Sequence, residues 1–211
     1  MFDALFRDLT PRVRFTYYDV CHGELPDTPN ACDGYLCTGS RYSVSENEDW
    51  IKLLKAFVQR LHEGEKPFVG ICFGHQMLAE ALGGQVLRSE DGWGVGVHRM
   101  QIARSEEWML PALGLCRLQY MHADQVRRLP QDAVVLGFSD HCEVAMFRVG
   151  ETMLGIEGHP EFTAAYSEAL MQSRMEQIGA ERVRYGLSSL SEPADNAIVA
   201  RWILNFIARS R

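Results

Sequence analysis

Lysine is scarce in this chain, which carries only Lys52, Lys55 and Lys66 among its 211 residues. The formal net charge is −7, so the chain lacks the basic surface that a nucleic-acid-binding protein needs. None of the three lysines follows a glycine, which excludes the lysine-bearing phosphate loop of the P-loop nucleotide-binding proteins. We therefore expect no nucleic-acid partner, no ATP site and no cofactor.

Long apolar runs and closely spaced cysteines are also missing. No segment is apolar enough, over enough residues, to predict a membrane span. Residues 1–8 carry acids early and lack the charged start and apolar middle of a signal peptide, so we expect a cytoplasmic protein without a membrane partner. The six cysteines contain no C-x-x-C pair, which predicts reduced thiols and no structural metal site.

The first third of the chain alternates between helical and strand patterns. Apolar residues over 2–9 predict a short helix that Pro11 ends, and the β-branched and aromatic residues of 13–18 predict a strand. A second short strand is expected at 34–38. The sequence Ser45-Glu46-Asn47-Glu48 has the form of a capping box, which predicts the start of a long amphipathic helix that ends at Gly64.

This alternation is typical of an α/β fold, an open and mostly parallel sheet with helices on both faces, and we expect one domain over 1–211. Such domains usually open on a strand, whereas this chain opens on a helix. Either the first strand is missing from the sequence or the sheet does without it. Between residues 85 and 158 the pattern changes to short strands, which predict a smaller antiparallel layer: 95–102, 115–121, 133–139, 144–149 and 153–156. Two helical stretches close the chain.

The stretch around Cys72 carries the most specific local signal. An apolar run, 67–71, leads into Gly70-Ile71-Cys72-Phe73-Gly74, and a helical pattern follows until Gly83 and Gly84. A sharp strand-to-helix turn with glycines around one nucleophilic residue is a nucleophile elbow. The turn would expose the sulfur at a helix N-terminus, where the helix dipole favours the thiolate. The alternative is that Cys72 is a small buried hydrophobic residue.

A nucleophilic cysteine requires a base and a group that orients the base. His159 is the best candidate among seven histidines, because it follows an apolar strand and precedes Pro160. Glu161 lies close enough in sequence to accept a hydrogen bond from the ring nitrogen that does not act on the cysteine. The alternative is an ordinary turn at a strand end, with both side chains facing solvent.

Taken together, these stretches resemble the class I, or triad, glutamine amidotransferases. The matching motifs are Gly70-Ile71-Cys72-Phe73-Gly74-His75-Gln76 and Gly158-His159-Pro160-Glu161, in the family's order. Met121-His122-Ala123-Asp124-Gln125-Val126 is similar to the Ser-His-Gly-Asp-x-Val segment of the amidotransferase half of GMP synthases, from which Met121 and Ala123 depart. The resemblance implies the flavodoxin-like fold of that family.

The resemblance also implies an activity and a set of roles. Cys72 would attack the side-chain amide of glutamine, His159 would transfer protons and Glu161 would orient His159, releasing glutamate and ammonia. Backbone N–H groups of Phe73 and of Gly39 or Ser40 would bind the oxyanion. The substrate would contact Gln76 and the segment His122, Ala123 and Asp124, while His75 would be structural.

Three functions agree with this resemblance. The first is a glutaminase whose ammonia passes to a separate synthase subunit, because the chain itself contains no synthase domain. The second is a hydrolase of γ-glutamyl peptides of the glutathione type, which uses the same triad. The third is a regulatory domain that has kept the fold without catalysis.

Overall fold

The computed structural model describes residues 1–7, 9 and 13–209 of the chain. Within these residues the strands form a seven-stranded sheet and a separate two-stranded sheet. The strands are β1 (Tyr35–Cys37), β2 (Phe68–Ile71), β3 (Gln85–Arg88), β4 (Gly94–Ile102), β5 (Leu115–His122), β6 (Asp124–Arg128), β7 (Ala133–Phe138), β8 (Met146–Val149) and β9 (Met153–Ile156).

Helices connect and cover these strands. In the described part of the chain they are α1 (Phe2–Arg7), α2 (Asp49–Glu63), α3 (Phe73–Ala81), α4 (Ala164–Ser173), α5 (Met175–Ile178), α6 (Ala180–Ser189) and α7 (Asn196–Arg209). A short 3₁₀ turn, Val20–His22, lies in the long loop before β1. None of the helices in these described residues has the length and hydropathy that crossing a bilayer requires.

The large sheet has the order β1-β2-β9-β8-β7-β4-β5. β1, β2 and β9 run parallel to one another, and every other neighbouring pair is antiparallel. The α/β fold class is confirmed. The antiparallel strands expected as a separate layer instead extend the same sheet, because β8 pairs directly with β9 along its whole length. The separate layer is the small pair β3–β6, which the sequence pattern did not predict.

Strand alternation places helices on both faces of the sheet. In β2, Phe68 packs in the cluster formed with α2 and α3, whereas Val69 and Ile71 pack in the cluster that contains Trp202 and Phe206 of α7. This follows from the period of two along a strand, which sends successive side chains to opposite faces. β2 is buried at every position, as expected for a strand covered on both sides.

The segment that follows α1 differs from its predicted structure. Residues 13–19 form no strand, so that prediction is wrong, and Phe15 instead packs its ring 5.7 Å from that of Phe6 in α1. A β-prone sequence forms a strand only where a neighbouring strand pairs with it, and here Phe15 packs against a helix while Tyr17 stays 66% exposed. The predicted helix end at Pro11 lies outside the described residues.

The predicted capping box at the start of α2 is also wrong. The helix begins at Asp49, its N-cap is Glu48, and the Glu48 side chain makes no capping hydrogen bond. The Glu46 carboxylate instead accepts a hydrogen bond from the Ser43 backbone N–H at 2.7 Å, which closes a turn two residues earlier in the chain than the predicted box. The expected apolar face of the helix is buried: Trp50, Ile51, Leu54, Phe57, Val58 and Leu61.

Candidate active site

Three neighbouring parallel strands deliver the candidate site residues to one edge of the sheet. Gly39 follows β1, Cys72 follows β2, and His159 follows β9. Because parallel strands end at the same edge, segments far apart in sequence meet there. The pairing continues past the strand ends, since the Cys72 backbone N–H donates to the Ile156 carbonyl oxygen at 2.9 Å.

The turn between β2 and α3 is strained at Cys72 itself. Cys72 has φ 50° and ψ −102°, a backbone conformation that residues other than glycine seldom adopt. Such a residue costs on the order of 1–3 kcal/mol, and a surrounding structure must hold it in place. Gly70 helps to do so, because a Cβ at Gly70 would lie 2.2 Å from the Gly74 carbonyl carbon. A Cβ at Gly74 would lie 2.4 Å from the Cys37 carbonyl oxygen of β1.

The Cys72 thiol is a protonated group in this environment. Burial raises its pKa well above the ordinary value, and the Glu157 and Glu161 carboxyl groups act in the same direction when they are ionised. The backbone N–H of Phe73 at the start of α3 acts in the opposite direction. The sequence predicted that the helix N-terminus would favour the thiolate. That contribution is present, but the loss of water outweighs it because Cys72 is only 6% exposed.

His159 and Glu161 form a buried pair. The His159 Nδ1 lies 2.8 Å from Glu161 Oε1, and the ring stacks on Phe162 with 3.8 Å between centroids. The His159 backbone N–H donates to the Gln119 carbonyl oxygen of β5 at 2.7 Å. The pair therefore has the geometry of an imidazole oriented by a carboxylate, with Nε2 left to face another group.

Gly39 is adjacent to the side chains of both Cys72 and His159. A Cβ built on Gly39 would lie 2.8 Å from His159 Cε1 and 3.7 Å from Cys72 Cβ. The sulfur-bearing carbon and the imidazole thus flank one point at the end of β1. Of the three residues expected to bind an oxyanion, Phe73 directly follows Cys72, and Gly39 and Ser40 lie on the loop after β1.

A cavity of about 480 Å³ opens over Cys72. Its wall includes every predicted substrate-contacting residue, namely Gln76, His122, Ala123 and Asp124, together with Ser40 and Phe73. Gln76 Nε2 donates to the Asp124 carbonyl oxygen at 2.9 Å, which ties α3 to the small sheet. Gly39, His159 and Glu161 are not part of the cavity wall in the described chain.

The predicted segments agree with a known family. The model of the family described as glutamine amidotransferase class-I matches residues 12–175, more than half of the chain. The chain belongs to the class I glutamine amidotransferase family. A glutamine amidotransferase from Thermotoga maritima has the same fold, with a TM-score of 0.77 at 23% identity over 99% of this chain and 90% of that one.

The relatives of this chain include proteins named for two different activities. The γ-glutamyl peptidase 3 of Arabidopsis thaliana is 32% identical over 153 residues, which cover 69% of this chain and 61% of the relative. One subunit of a glutamine-hydrolysing GMP synthase from Methanopyrus kandleri is 38% identical over 106 residues, 46% of this chain and 53% of the relative. The chain thus spans about three-fifths of the length of the peptidase and about half that of the synthase subunit.

Two residues beside the candidate triad were not predicted from the sequence. Glu157 is 0% exposed and is close enough to Cys72 to affect the pKa of its thiol. Gln119 supports the histidine segment, since its Nε2 donates to the Phe162 carbonyl oxygen at 3.0 Å. A glutamate at the end of an otherwise apolar strand, two residues before a candidate histidine, was the available signal for Glu157.

His75 has the structural position that was expected for it. Its ring is 0% exposed, lies edge-on to Phe147 at 5.0 Å between centroids, and places Nε2 3.4 Å from Glu157 Oε2. Burial lowers the pKa of His75 to about 3, so the ring is neutral.

Proposed function

We propose that this protein cleaves the γ-amide bond of a glutamine-like group, using Cys72 as nucleophile, His159 as acid and base, and Glu161 as the residue that orients His159. The observation that carries the proposal is the meeting of Cys72 and His159 around Gly39, with the His159 ring held by Glu161 at 2.8 Å. These groups follow separate strands, and a cysteine, a base and an orienting acid are the parts that nucleophilic catalysis needs.

The first half of the reaction forms a thioester. His159 Nε2 accepts the thiol proton as the Cys72 sulfur attacks the γ-carbonyl carbon, so a free thiolate need not form before the attack despite the high pKa of the thiol. The negative oxygen of the tetrahedral intermediate accepts hydrogen bonds from the backbone N–H groups of Phe73 and of Gly39 or Ser40. Each such donor typically contributes about 10²–10³ in rate. His159 then protonates the leaving nitrogen as the carbon–nitrogen bond breaks.

The second half of the reaction hydrolyses the thioester. A water molecule gives its proton to His159 and attacks the γ-glutamyl carbonyl carbon, and the carbon–sulfur bond breaks. The proton returns to the sulfur, which regenerates the enzyme and releases the γ-carboxylate. Glu161 keeps the same ring nitrogen engaged throughout, so that Nε2 remains the one that exchanges protons.

The cavity favours a γ-glutamyl peptide as substrate. Arg41, Arg88 and Arg174 all contribute to its wall, alongside Cys72. A peptide attached through the γ-carbonyl brings a carboxylate on its far side, and guanidinium groups bind carboxylates with paired hydrogen bonds. A cavity of about 480 Å³ also holds more than a single amino acid. The name of the Arabidopsis relatives, γ-glutamyl peptidase, is consistent with this substrate class.

Glutamine hydrolysis for a separate synthase is the second candidate. It is favoured by the similarity to the GMP synthase subunit from Methanopyrus kandleri over 106 residues, and that similarity is higher per residue than the one to the peptidases. In this case the ammonia would leave for a partner protein that binds near the cavity.

A comparison of kcat/KM for glutamine and for a series of γ-glutamyl peptides tests the substrate class. We expect peptides to be preferred by at least about tenfold, since each charge-assisted hydrogen bond to a carboxylate contributes about 1.5–3 kcal/mol. Arg174→Gln should reduce kcat/KM for peptides but not for glutamine, and Arg184→Gln, an exposed arginine outside the cavity wall, serves as the matched control. A preference for glutamine that a synthase partner increases would favour the second candidate instead.

A further inference from the structure

A buried carboxyl group near Cys72 has no part in the mechanism above. Glu157 follows β9 directly and is 0% exposed. Gln76 Nε2 donates to its carboxyl, at 3.0 Å from Oε1 and 3.3 Å from Oε2. The carboxyl and the Cys72 thiol are close enough to affect each other's pKa. Glu157 therefore bonds to a side chain of the cavity wall and lies near the candidate nucleophile.

Within the described residues, no positive charge compensates this carboxyl. The groups at ion-pair distance from it there are two histidines, with His75 Nε2 at 3.4 Å and His122 Nδ1 at 3.8 Å. Both rings are neutral, because burial lowers the pKa of His75 to about 3 and that of His122 well below its usual range. The titratable or charged groups that face Glu157 are Cys72, His75, His122, Asp124, Tyr120 and Cys142.

An ionised Glu157 would be a buried charge without a cationic partner, which costs several kcal/mol even after the surroundings relax. The neutral acid avoids that cost. Burial accordingly raises the pKa of Glu157 well above its usual value, and the hydrogen bonds from Gln76 and Cys72 offset only part of that effect. A protonated carboxyl keeps one oxygen as an acceptor for Gln76 and gains one O–H donor.

We propose that Glu157 is a positioning residue for the nucleophile: a buried carboxylic acid that stays protonated and donates its hydrogen bond to the Cys72 sulfur. Hydrogen bonds from a neutral donor to a charged sulfur strengthen when the thiolate forms, so this contact assists attack and, later, departure of the sulfur from the thioester. The proton stays on Glu157 throughout, and His159 remains the group that exchanges protons with the substrate.

Ionisation of Glu157 would then act against thiolate formation at Cys72. Loss of its proton would place a negative charge against the sulfur, which raises the Cys72 pKa and removes the donor at once. The inference rests on the proposed function only in taking Cys72 as the nucleophile, and its first test needs no substrate.

Infrared spectroscopy of the resting protein at neutral pH is that first test. We expect the carbonyl stretch of a protonated carboxylic acid, absent in Glu157→Gln and retained in the matched variant Glu161→Gln. Alkylating Cys72 of the wild-type protein with iodoacetamide should shift the band, because the sulfur then changes as an acceptor. This second measurement uses the wild-type fold, so it decides the question even if Glu157→Gln is unstable. Absence of the band, or a band that neither change alters, would overturn the proposal.

The pH profile of kcat/KM separates this role from a purely structural one. The wild-type profile should fall on its alkaline side, and in Glu157→Gln that fall should move upward by at least about one pH unit, because an amide cannot ionise. A uniform loss of rate with an unchanged profile would contradict the proposal. If the protein turned over no γ-glutamyl compound, the proposed function would fail while the infrared test would remain valid.

Discussion

Gly39 occupies the point around which the candidate nucleophile and base are arranged. A methyl group there would lie 2.8 Å from His159 Cε1, closer than non-bonded carbon atoms approach. The imidazole cannot move away freely, because it is stacked on Phe162 and bonded to Glu161. The absence of a side chain at this position is therefore a condition for the Cys72–His159 geometry.

Gly39→Ala should lower kcat/KM for the preferred γ-glutamyl substrate by at least about 10², since a displacement of about 1 Å at the reacting groups has that effect. Steady-state kinetics measures the loss, and circular dichroism melting checks that the fold is kept. Gly114→Ala is the matched control, because a Cβ at Gly114 meets nothing within 4 Å. Equal activity of the two variants would show that the Gly39 contact does not matter.

At the residue level, sequence motifs select the candidate residues but not their environment. Cys72, His159 and Glu161 could be selected because their spacing follows a motif and a strand–turn–helix pattern. The protonated state of Cys72 could not, because desolvation depends on what covers the sulfur after folding. Glu157 was missed for a related reason. The sequence shows only a single acid beside an apolar strand, and its burial among Cys72, Gln76 and His75 is a result of folding.

The start of α2 illustrates the limit of local patterns at the level of elements. Ser45 and Glu48 have the spacing of a capping box, yet the chain forms a separate turn there and the helix begins later, at Asp49. α4 has the cap that α2 lacks, since the Thr163 side chain accepts a hydrogen bond from the Tyr166 backbone N–H at 3.2 Å.

Thr163→Ala should therefore lower the free energy of unfolding by about 1 kcal/mol, the usual cost of removing an N-cap. Ser45→Ala should change it by less than about 0.5 kcal/mol, as is common for surface sites without such a role. Urea denaturation of both variants measures the difference. A larger effect at Ser45 than at Thr163 would mean that the capping box operates in solution.

Two errors in the predicted strands depend on pairing between distant parts of the chain. β3 and β6 form a two-stranded sheet by pairing residues that are far apart in sequence, such as Val86 with Val126. Residues 13–18 have the composition of a strand but form none. In both cases the outcome depends on which backbone lies alongside, and this information is tertiary.

At the scale of the whole molecule, neutral histidines in the interior make the stability of the protein depend on pH. Burial lowers the pKa of His75 from 6.5 to about 3. The unfolded chain takes up the proton at a higher pH than the folded chain, so the stability due to neutral His75 is complete above pH 6.5 and is lost as the pH falls toward 3.

Wild-type protein should therefore lose up to about 1.4 kcal/mol per pH unit from this group on acidification below its ordinary pKa. Glu157, whose pKa burial raises, acts in the opposite direction, so the effect is measured as the difference between wild type and His75→Gln. Chemical denaturation from pH 7 to pH 5 provides both curves. A constant difference across that range would mean that the pKa of His75 is the same in the folded and the unfolded protein.

The order of the parallel strands brings the candidate site residues together. Because β2 lies between β1 and β9, all three parallel, the loops after them converge although they come from residues 39, 72 and 159 of the chain. The family's fold was predictable from its motifs, and the order of the antiparallel strands beyond β9 was not.

Covalent labelling of Cys72 is the most direct test of the account. A glutamine analogue with an alkylating diazoketone at the γ-position is incubated with the protein, and peptide mass spectrometry locates the adduct. We predict one adduct, on Cys72, formed in step with loss of activity, and none in Cys72→Ala, which should be inactive but folded. Turnover at the wild-type rate in Cys72→Ala, or an adduct on another of the six cysteines that accompanies inactivation, would contradict it.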